Sequence, residues 1–196
     1  MWPSLASAIR FLTIIPFPAT ESTDEASPDH SILYYPLVGL LIGLVLLGTE
    51  LLCGLFSAPL QALCIVAVWA VITGGLHLDG IADTADAWLG GHGDRERTLE
   101  ILRDTSVGVA AVIAIVLILA FKVMLLAELQ TYQVAAVLMA PVMGRTMVML
   151  LFNTTPYVRE QGIASSMIAS LPRQRIYLIV LAVTLIVLGV LGLAAL

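Results

Sequence analysis

Hydrophobic and polar positions form long blocks along this chain, unlike the short alternation of a soluble domain. An apolar stretch of about 20 residues is long enough to cross the roughly 30 Å hydrocarbon core of a bilayer as a helix. The blocks predict an all-α integral membrane protein, a polytopic helical bundle of about five transmembrane helices within one membrane domain, 1–196. The predicted spans are 32–56, 59–77, 107–129, 131–153 and 176–196.

The first 31 residues follow a different pattern. An apolar stretch from Ser4 to Ile15 is too short to span and is bracketed by Pro3 and Pro16, which predicts an interfacial or re-entrant helix. An acidic, aperiodic loop is expected after it. Because Arg10 lies inside the apolar stretch and not before it, the segment differs from a cleaved signal peptide, and we expect it to be retained.

The composition agrees with a membrane protein and excludes other classes of protein. The chain is 60% hydrophobic and 12% charged, more apolar surface than a soluble domain of this size can bury. Its 9 basic residues are scattered and outnumbered by 14 acidic ones, which excludes a nucleic-acid-binding face. Cys53 and Cys64 lie in apolar runs without a metal-ligand spacing, so we expect packing roles for both.

Three carboxylates interrupt the apolar sequence at the end of the second span. In the run T-G-G-L-H-L-D-G-I-A-D-T-A-D-A-W, Asp79, Asp83 and Asp86 are spaced i, i+4 and i+7, which places them within about 60° on a helix. Such carboxylates repel unless a cation lies among them, and Mg²⁺ takes oxygen ligands while it binds substrate phosphates. The acidic stripe therefore predicts a Mg²⁺ and phosphate site. A solvated helix start, favoured by the helix dipole, is the alternative.

Three polar residues close to the stripe are further candidates. His77 could take a hydroxyl proton, although a lone interfacial histidine is more often structural than catalytic. A short amphipathic helix capped by Asp94 is predicted to end at Arg103, a candidate phosphate clamp. Asp104, the second catalytic candidate, either joins the metal site or pairs with a basic neighbour.

Two basic residues fall inside predicted spans. Arg145 should face the bundle interior, toward the acidic stripe or a substrate phosphate, because an unpaired arginine is costly there and arginine binds either group bidentately. Lys122 lies nearer the outer face, so its long stem is expected to let the ammonium snorkel outward.

Basic residues in the short loops predict the orientation. With five spans, Arg10 and the two basic groups at 95–103 and 159–175 fall on one side, which should be cytoplasmic. The active-site segment 78–106 would then face the cytoplasm from a cell (inner) membrane.

Three motifs carry a resemblance to a known family. The runs G-G-L-H-L-D-G-I-A-D-T-A-D, D-R-E-R-T-L-E-I-L-R-D and A-P-V-M-G-R closely resemble the cobalamin synthases, which are adenosylcobinamide-GDP ribazoletransferases. The resemblance extends from R-F-L-T-I-I-P-F-P to P-Y-V-R-E-Q-G. It implies a membrane enzyme that joins α-ribazole, or its 5′-phosphate, to adenosylcobinamide-GDP with Mg²⁺ and releases GMP. Family members usually continue into a further segment with G-G-x-T-G-D, so the end at Leu196 predicts a shortened form.

Other readings of the acidic stripe stay open at this point. The D-G-x-x-A pattern is also similar to the CDP-alcohol phosphotransferases, but Asp83 stands where that family has arginine. A small cation transporter would place its carboxylates at mid-membrane, and an assembly subunit would only anchor other corrinoid enzymes. The expected partners are the two small-molecule substrates and the lipid bilayer, with a homo-oligomer left open.

Overall fold

The computed structural model describes residues 2–18, 30–129, 133–157 and 171–194. Every regular element in these ranges is helical, which confirms an all-α membrane protein. A 3₁₀ turn, Ser31–Tyr34, precedes the second helix. The helices are α1 Trp2–Leu12, α2 Tyr35–Leu52, α3 Ala58–Ile72, α4 Leu76–Gly91, α5 Arg95–Ile101, α6 Val109–Glu128, α7 Gln133–Thr154 and α8 Arg173–Ala194.

Four stretches of the described chain are long and apolar enough to cross a membrane. They are Ser31–Leu52, Val109–Glu128, Val134–Thr154 and Arg173–Val190. A fifth span exists if α3 and α4, which are bent by 86° at the break between them, count as one. Most of the predicted acidic loop, 19–29, and the basic loop around Arg159 lie outside the described residues.

The predicted second span, 59–77, is two helices and not one. Helix α3 ends in a Schellman motif: the N–H of Gly75 donates to the carbonyl of Ala70, and that of Gly74 to the carbonyl of Val71, each at 2.9 Å. Both glycines have positive φ, 59° and 70°, a backbone conformation that side chains disfavour. The chain therefore turns sharply just before His77, and the acidic stripe belongs to a separate helix.

The chain divides into two compact units, one formed by 1–51 with 131–196 and the other by 52–130. In the first unit, α2 and α7 approach closely at two glycines. A Cβ at Gly39 would lie 2.6 Å from the carbonyl oxygen of Pro141, and one at Gly43 would lie 2.5 Å from that of Leu138. Small residues at such positions let helices in a bilayer approach closely. A Cβ added at Gly48, in contrast, would meet no described atom outside its own helical segment within 4 Å.

In the second unit, α3 and α4 both pack on α6, and α5 packs on α4. Helix α5 begins as predicted, because a carboxylate oxygen of Asp94 accepts the N–H groups of Glu96 at 2.8 Å and Arg97 at 3.2 Å. Helix α4 is the element that carries the acidic stripe, so its environment defines the candidate site.

Candidate active site

Helix α4 runs antiparallel to α6 and lies along it. Near its start His77 contacts Lys122, and near its end Asp86 contacts Gly108 and Ala111, so residue numbers rise on α4 as they fall on α6. The sequence placed the acidic stripe at the end of the second span. Since α6 is itself long and apolar enough to cross a membrane, the stripe lies beside another candidate span.

Asp86 is engaged by the backbone of α6. Its two carboxylate oxygens accept the N–H of Gly108 at 2.6 Å and the N–H of Ala111 at 2.9 Å. The first N–H groups of a helix have no partner within it, and glycine at the N-cap supplies no side chain to satisfy them. A Cβ at Gly108 would stand 2.5 Å from an oxygen of Asp86, so the carboxylate occupies the space of a side chain.

A polar cluster surrounds the first turn of α4. The Lys122 ammonium lies 3.0 Å from Nε2 of His77 and 4.3 Å from the centre of the Trp69 ring. Nδ1 of His77 lies 3.3 Å from the Thr73 hydroxyl, which donates to the carbonyl of Trp69 at 2.9 Å. The expectation that Lys122 snorkels outward is wrong, because a histidine and an aromatic face give the ammonium partners inside the protein.

Asp79 and Asp83 differ from Asp86 in that both are exposed. No hydrogen bond joins either carboxylate to another described residue. Among the described residues, no three His, Cys, Asp or Glu side chains are grouped to hold one metal ion. The Mg²⁺ site on the acidic stripe stays a prediction. Two neighbouring carboxylates that share Mg²⁺ with substrate phosphates do fit the chemistry of this cation.

Arg103 and Asp104 lie in the exposed segment between α5 and α6. The Asp104 carboxylate accepts the hydroxyl of Ser106 at 2.7 Å and its N–H at 3.0 Å, and no ion pair joins it to Arg103. These hydrogen bonds lower the pKa of Asp104 from its ordinary value. At neutral pH Asp104 is therefore a charged acceptor or base and not a proton donor.

Arg145 lies on α7 in the other unit and is half-buried, which agrees with a side chain that faces protein. Its Nε is buried and has no hydrogen-bond partner among the residues that the structure describes. A buried donor without a partner suits a group that binds an anion from outside the chain. The predicted pairing of Arg145 with the acidic stripe stays a prediction.

The sequence did not predict two features of the site. One is the contact between Lys122 and His77, and the other is the pair of hydrogen bonds from the backbone of α6 to Asp86. Their partners are 45 and 22 to 25 residues apart, so no local period could reveal them. A lysine inside an apolar span was the available signal, because such a residue marks a functional site by default.

Comparisons with known proteins cover nearly the whole chain. Residues 4–196 match the family model described as cobalamin-5-phosphate synthase. The adenosylcobinamide-GDP ribazoletransferase of Stutzerimonas stutzeri is 43% identical over 195 residues, which are 98% of this chain and 80% of that protein. Proteins of the same name from Pseudomonas putida (strain GB-1) and Acinetobacter baumannii (strain ACICU) are 46% and 42% identical, covering 85% and 88% of this chain and 70% of each relative. No solved structure matches the chain significantly.

Proposed function

The chain belongs to the cobalamin-5-phosphate synthase family, and we propose that it is a transferase that joins α-ribazole, or its 5′-phosphate, to adenosylcobinamide-GDP and releases GMP. The observation that carries the proposal is the family match over residues 4–196, which includes α4 with its two exposed aspartates.

The reaction is a displacement at phosphorus. The ribazole hydroxyl oxygen forms a bond to the phosphorus that stays with the corrinoid, the bond from that phosphorus to the GMP oxygen breaks, and the hydroxyl proton passes to a base. Because such transfers need little covalent help, the protein contributes mainly by positioning and by electrostatic stabilisation.

Asp79 and Asp83 would hold Mg²⁺ together with the substrate diphosphate. The cation, when bound, offsets negative charge on the diphosphate and on the departing GMP. The two carboxylates are neighbours one helical turn apart and exposed, so substrate phosphates can complete the coordination between them. Asp86 is left out of this assignment because its oxygens already accept two N–H groups.

Arginines are proposed to bind the substrate phosphates. Arg103 is exposed in the same unit as the aspartates, and Arg145 carries a buried Nε with no hydrogen-bond partner in the described part of the chain. A guanidinium binds two phosphate oxygens at once, which fixes orientation as well as charge. For the proton, Asp104 and His77 both stay candidate bases. The Asp104 carboxylate is exposed, but its lowered pKa weakens it as a base, and the two ring nitrogens of His77 contact Thr73 and Lys122.

The protein is proposed to act in the cell inner membrane with its site open to the cytoplasm. Four to five apolar helices support a multi-pass protein. The basic residues of the segment 95–103 favour the cytoplasmic side for the loop that follows α4.

A release assay tests the proposal. Purified protein in detergent, given both substrates and Mg²⁺, should release GMP in step with corrinoid product, and removal of Mg²⁺ should stop release.

Asp83→Asn should lower the rate on the order of 100-fold, because electrostatic stabilisation of the transferring phosphoryl group supplies several kcal/mol. Asp94→Asn, which alters a carboxylate whose hydrogen bonds within the described residues cap α5, is the matched control. Absence of GMP release from folded wild-type protein would overturn the assignment.

A further inference from the structure

Helix α4 is attached to α6 at two points, one at its second residue and one five residues before its last. Near its start, His77 contacts Lys122, and near its end, Asp86 accepts two N–H groups from the first turn of α6. We propose that Asp86, His77 and Lys122 are positioning residues that fix the rotation of α4 about its own axis. The residues that this rotation directs are Asp79 and Asp83, so the inference rests on the proposed function for their role.

The two attachments lie on opposite sides of α4. His77 and Asp86 are nine residues apart, which at about 100° per residue places them roughly 180° apart around the helix and about 13 Å apart along it. Four buried or half-buried residues of α4 fall on the arc between them: Leu78, Ile81, Ala82 and Ala85. Buried Ala87 and Gly91 lie on the other side of the helix, where Gly91 faces Thr98 of α5. The face of α4 between His77 and Asp86 thus has one polar attachment on each flank, an arrangement that resists rotation in either direction.

The aspartates lie just beyond the Asp86 flank. Taking His77 as the origin, Asp86 is near 180°, Asp79 near 200° and Asp83 near 240° on a regular helix of about 100° per residue. A modest rotation of α4 would therefore carry both exposed carboxylates toward or away from α6. Small apolar residues such as Ala82 and Ala85 do not fix this rotation by themselves, because their side chains interdigitate little with a neighbouring helix.

The Asp86 attachment is strong for electrostatic reasons. A carboxylate that accepts backbone N–H groups makes charge-assisted bonds, and the N-terminus of α6 carries partial positive charge. In an apolar surrounding those N–H groups must have a partner, since water does not supply one. These two bonds hold both oxygens of Asp86 at the start of α6, which is why the geometry assigns Asp86 to α6 and not to the metal.

The Lys122 attachment has a fixed hydrogen-bond direction. An ammonium can only donate, so Nε2 of His77 accepts from Lys122 and the ring proton resides on Nδ1. Nδ1 then donates to the Thr73 hydroxyl, whose own proton goes to the carbonyl of Trp69. Side chains of α6 and α4 are thereby linked to the end of α3 through one continuous chain, with the imidazole neutral.

Hydrogen–deuterium exchange of the Mg²⁺-free protein, combined with turnover, tests the inference. Asp86→Asn should speed exchange at the amides of Gly108 and Ala111, and Lys122→Met should speed exchange in the first turn of α4, each about tenfold, because a lost partner opens these groups. Both variants should lower kcat at saturating Mg²⁺. Lys122→Arg, which still donates to His77 and stacks on Trp69, should have the exchange rate and the kcat of the wild type, unlike Lys122→Met.

Three comparisons keep the outcomes apart. Asp83→Asn should leave metal-free exchange unchanged and raise the Mg²⁺ concentration needed for half-maximal rate. Asp94→Asn should change exchange in α5 alone. Gly108→Ala should displace the Asp86 carboxylate without removing it and so reproduce the exchange pattern of Asp86→Asn, while Gly48→Ala, at a site with open space, should not.

The inference is overturned if Asp86→Asn leaves exchange at α6 unchanged and shifts the Mg²⁺ requirement as Asp83→Asn does, since Asp86 is then a ligand. It is also overturned if Lys122→Met retains wild-type exchange and kcat. Should Asp86→Asn fail to fold while Asp83→Asn folds, the anchoring role is supported. The exchange measurements need no substrate, so failure of the proposed reaction would be seen separately, in the wild-type release assay.

Discussion

At the scale of single residues, the surroundings of each carboxylate oxygen decide its chemistry. Asp79 and Asp83 are exposed and free to share a cation with phosphate, whereas Asp86 is committed to two N–H groups of α6. The same residue type, three times within eight positions of one helix, therefore provides two candidate ligands and one anchor. Asp86 differs from the other two aspartates because α6 begins beside it, and no local feature of α4 produces this difference.

Asp104 offers a prediction about pH. Hydrogen bonds from Ser106 hold the pKa of Asp104 below its ordinary value, so the bonded form contributes stability above the unfolded-state pKa and loses it as pH falls through the folded-state pKa. Ser106→Ala should therefore raise the pKa of Asp104 toward the ordinary value. An NMR titration of the Asp104 carboxyl in both proteins measures this shift. An unchanged pKa would mean that Ser106 does not bind the carboxylate in solution.

Arg145 and Lys122 form a matched pair of charge-conserving tests. Arg145→Lys keeps the charge but loses the planar fork, so GMP release should fall at least about tenfold if Arg145 clamps phosphate. Lys122→Arg should stay within about twofold of wild type, because arginine can also donate to His77. Release rates at matched protein levels measure the contrast. Equal rates in the two variants would leave the clamp to the exposed Arg103.

At the scale of helices, backbone proximity at two glycines determines how α2 packs. Gly39 and Gly43 are spaced i, i+4, and both face the backbone of α7 near Leu138 and Pro141. Small residues at this spacing let helices in a bilayer approach closely, where dispersion contacts replace the hydrophobic drive. The spacing is a local sequence pattern, which is why this contact could be anticipated.

Gly39→Val tests this packing. The added side chain would meet the α7 backbone, which cannot move as the end of a flexible side chain could. Overpacking of this kind typically costs about 1–3 kcal/mol, so the thermal midpoint in detergent should drop. Gly48→Val, in the same helix but with open space around it, is the control. An equal loss in both variants would attribute the effect to helix propensity instead of packing.

The sequence predicted the elements that depend on local patterns and missed those that depend on contacts between distant residues. Helices α2, α6, α7 and α8 follow from apolar length alone, a property read within one segment. The break after α3 was missed although Gly74 and Gly75 signalled it, because the apolar pattern continues across them. The two attachments of α4 were not predictable, since each depends on which helix packs beside it.

At the scale of the whole molecule, the path of α3 and α4 determines which loops share a side of the membrane. If the bent pair crosses the bilayer once, the segment before α3 and the segment after α4 lie on opposite sides. If it is re-entrant, they lie on the same side. The contacts of α4 with α6 run from Lys122 to Gly108, so α4 lies beside a helix long enough to span on either path.

Single cysteines report this topology. In a background with Cys53 and Cys64 replaced by alanine, we expect Arg97→Cys and Arg159→Cys to react with a membrane-impermeant maleimide only after the cytoplasmic side is opened, because basic loops stay inside. Ala58→Cys, before α3, should react in intact cells. Labelling of Ala58→Cys and Arg97→Cys from the same side would show that α3 and α4 form a re-entrant pair. Helix α3 would then enter the bilayer, and α4 would leave it, by the face that carries the Arg97 loop.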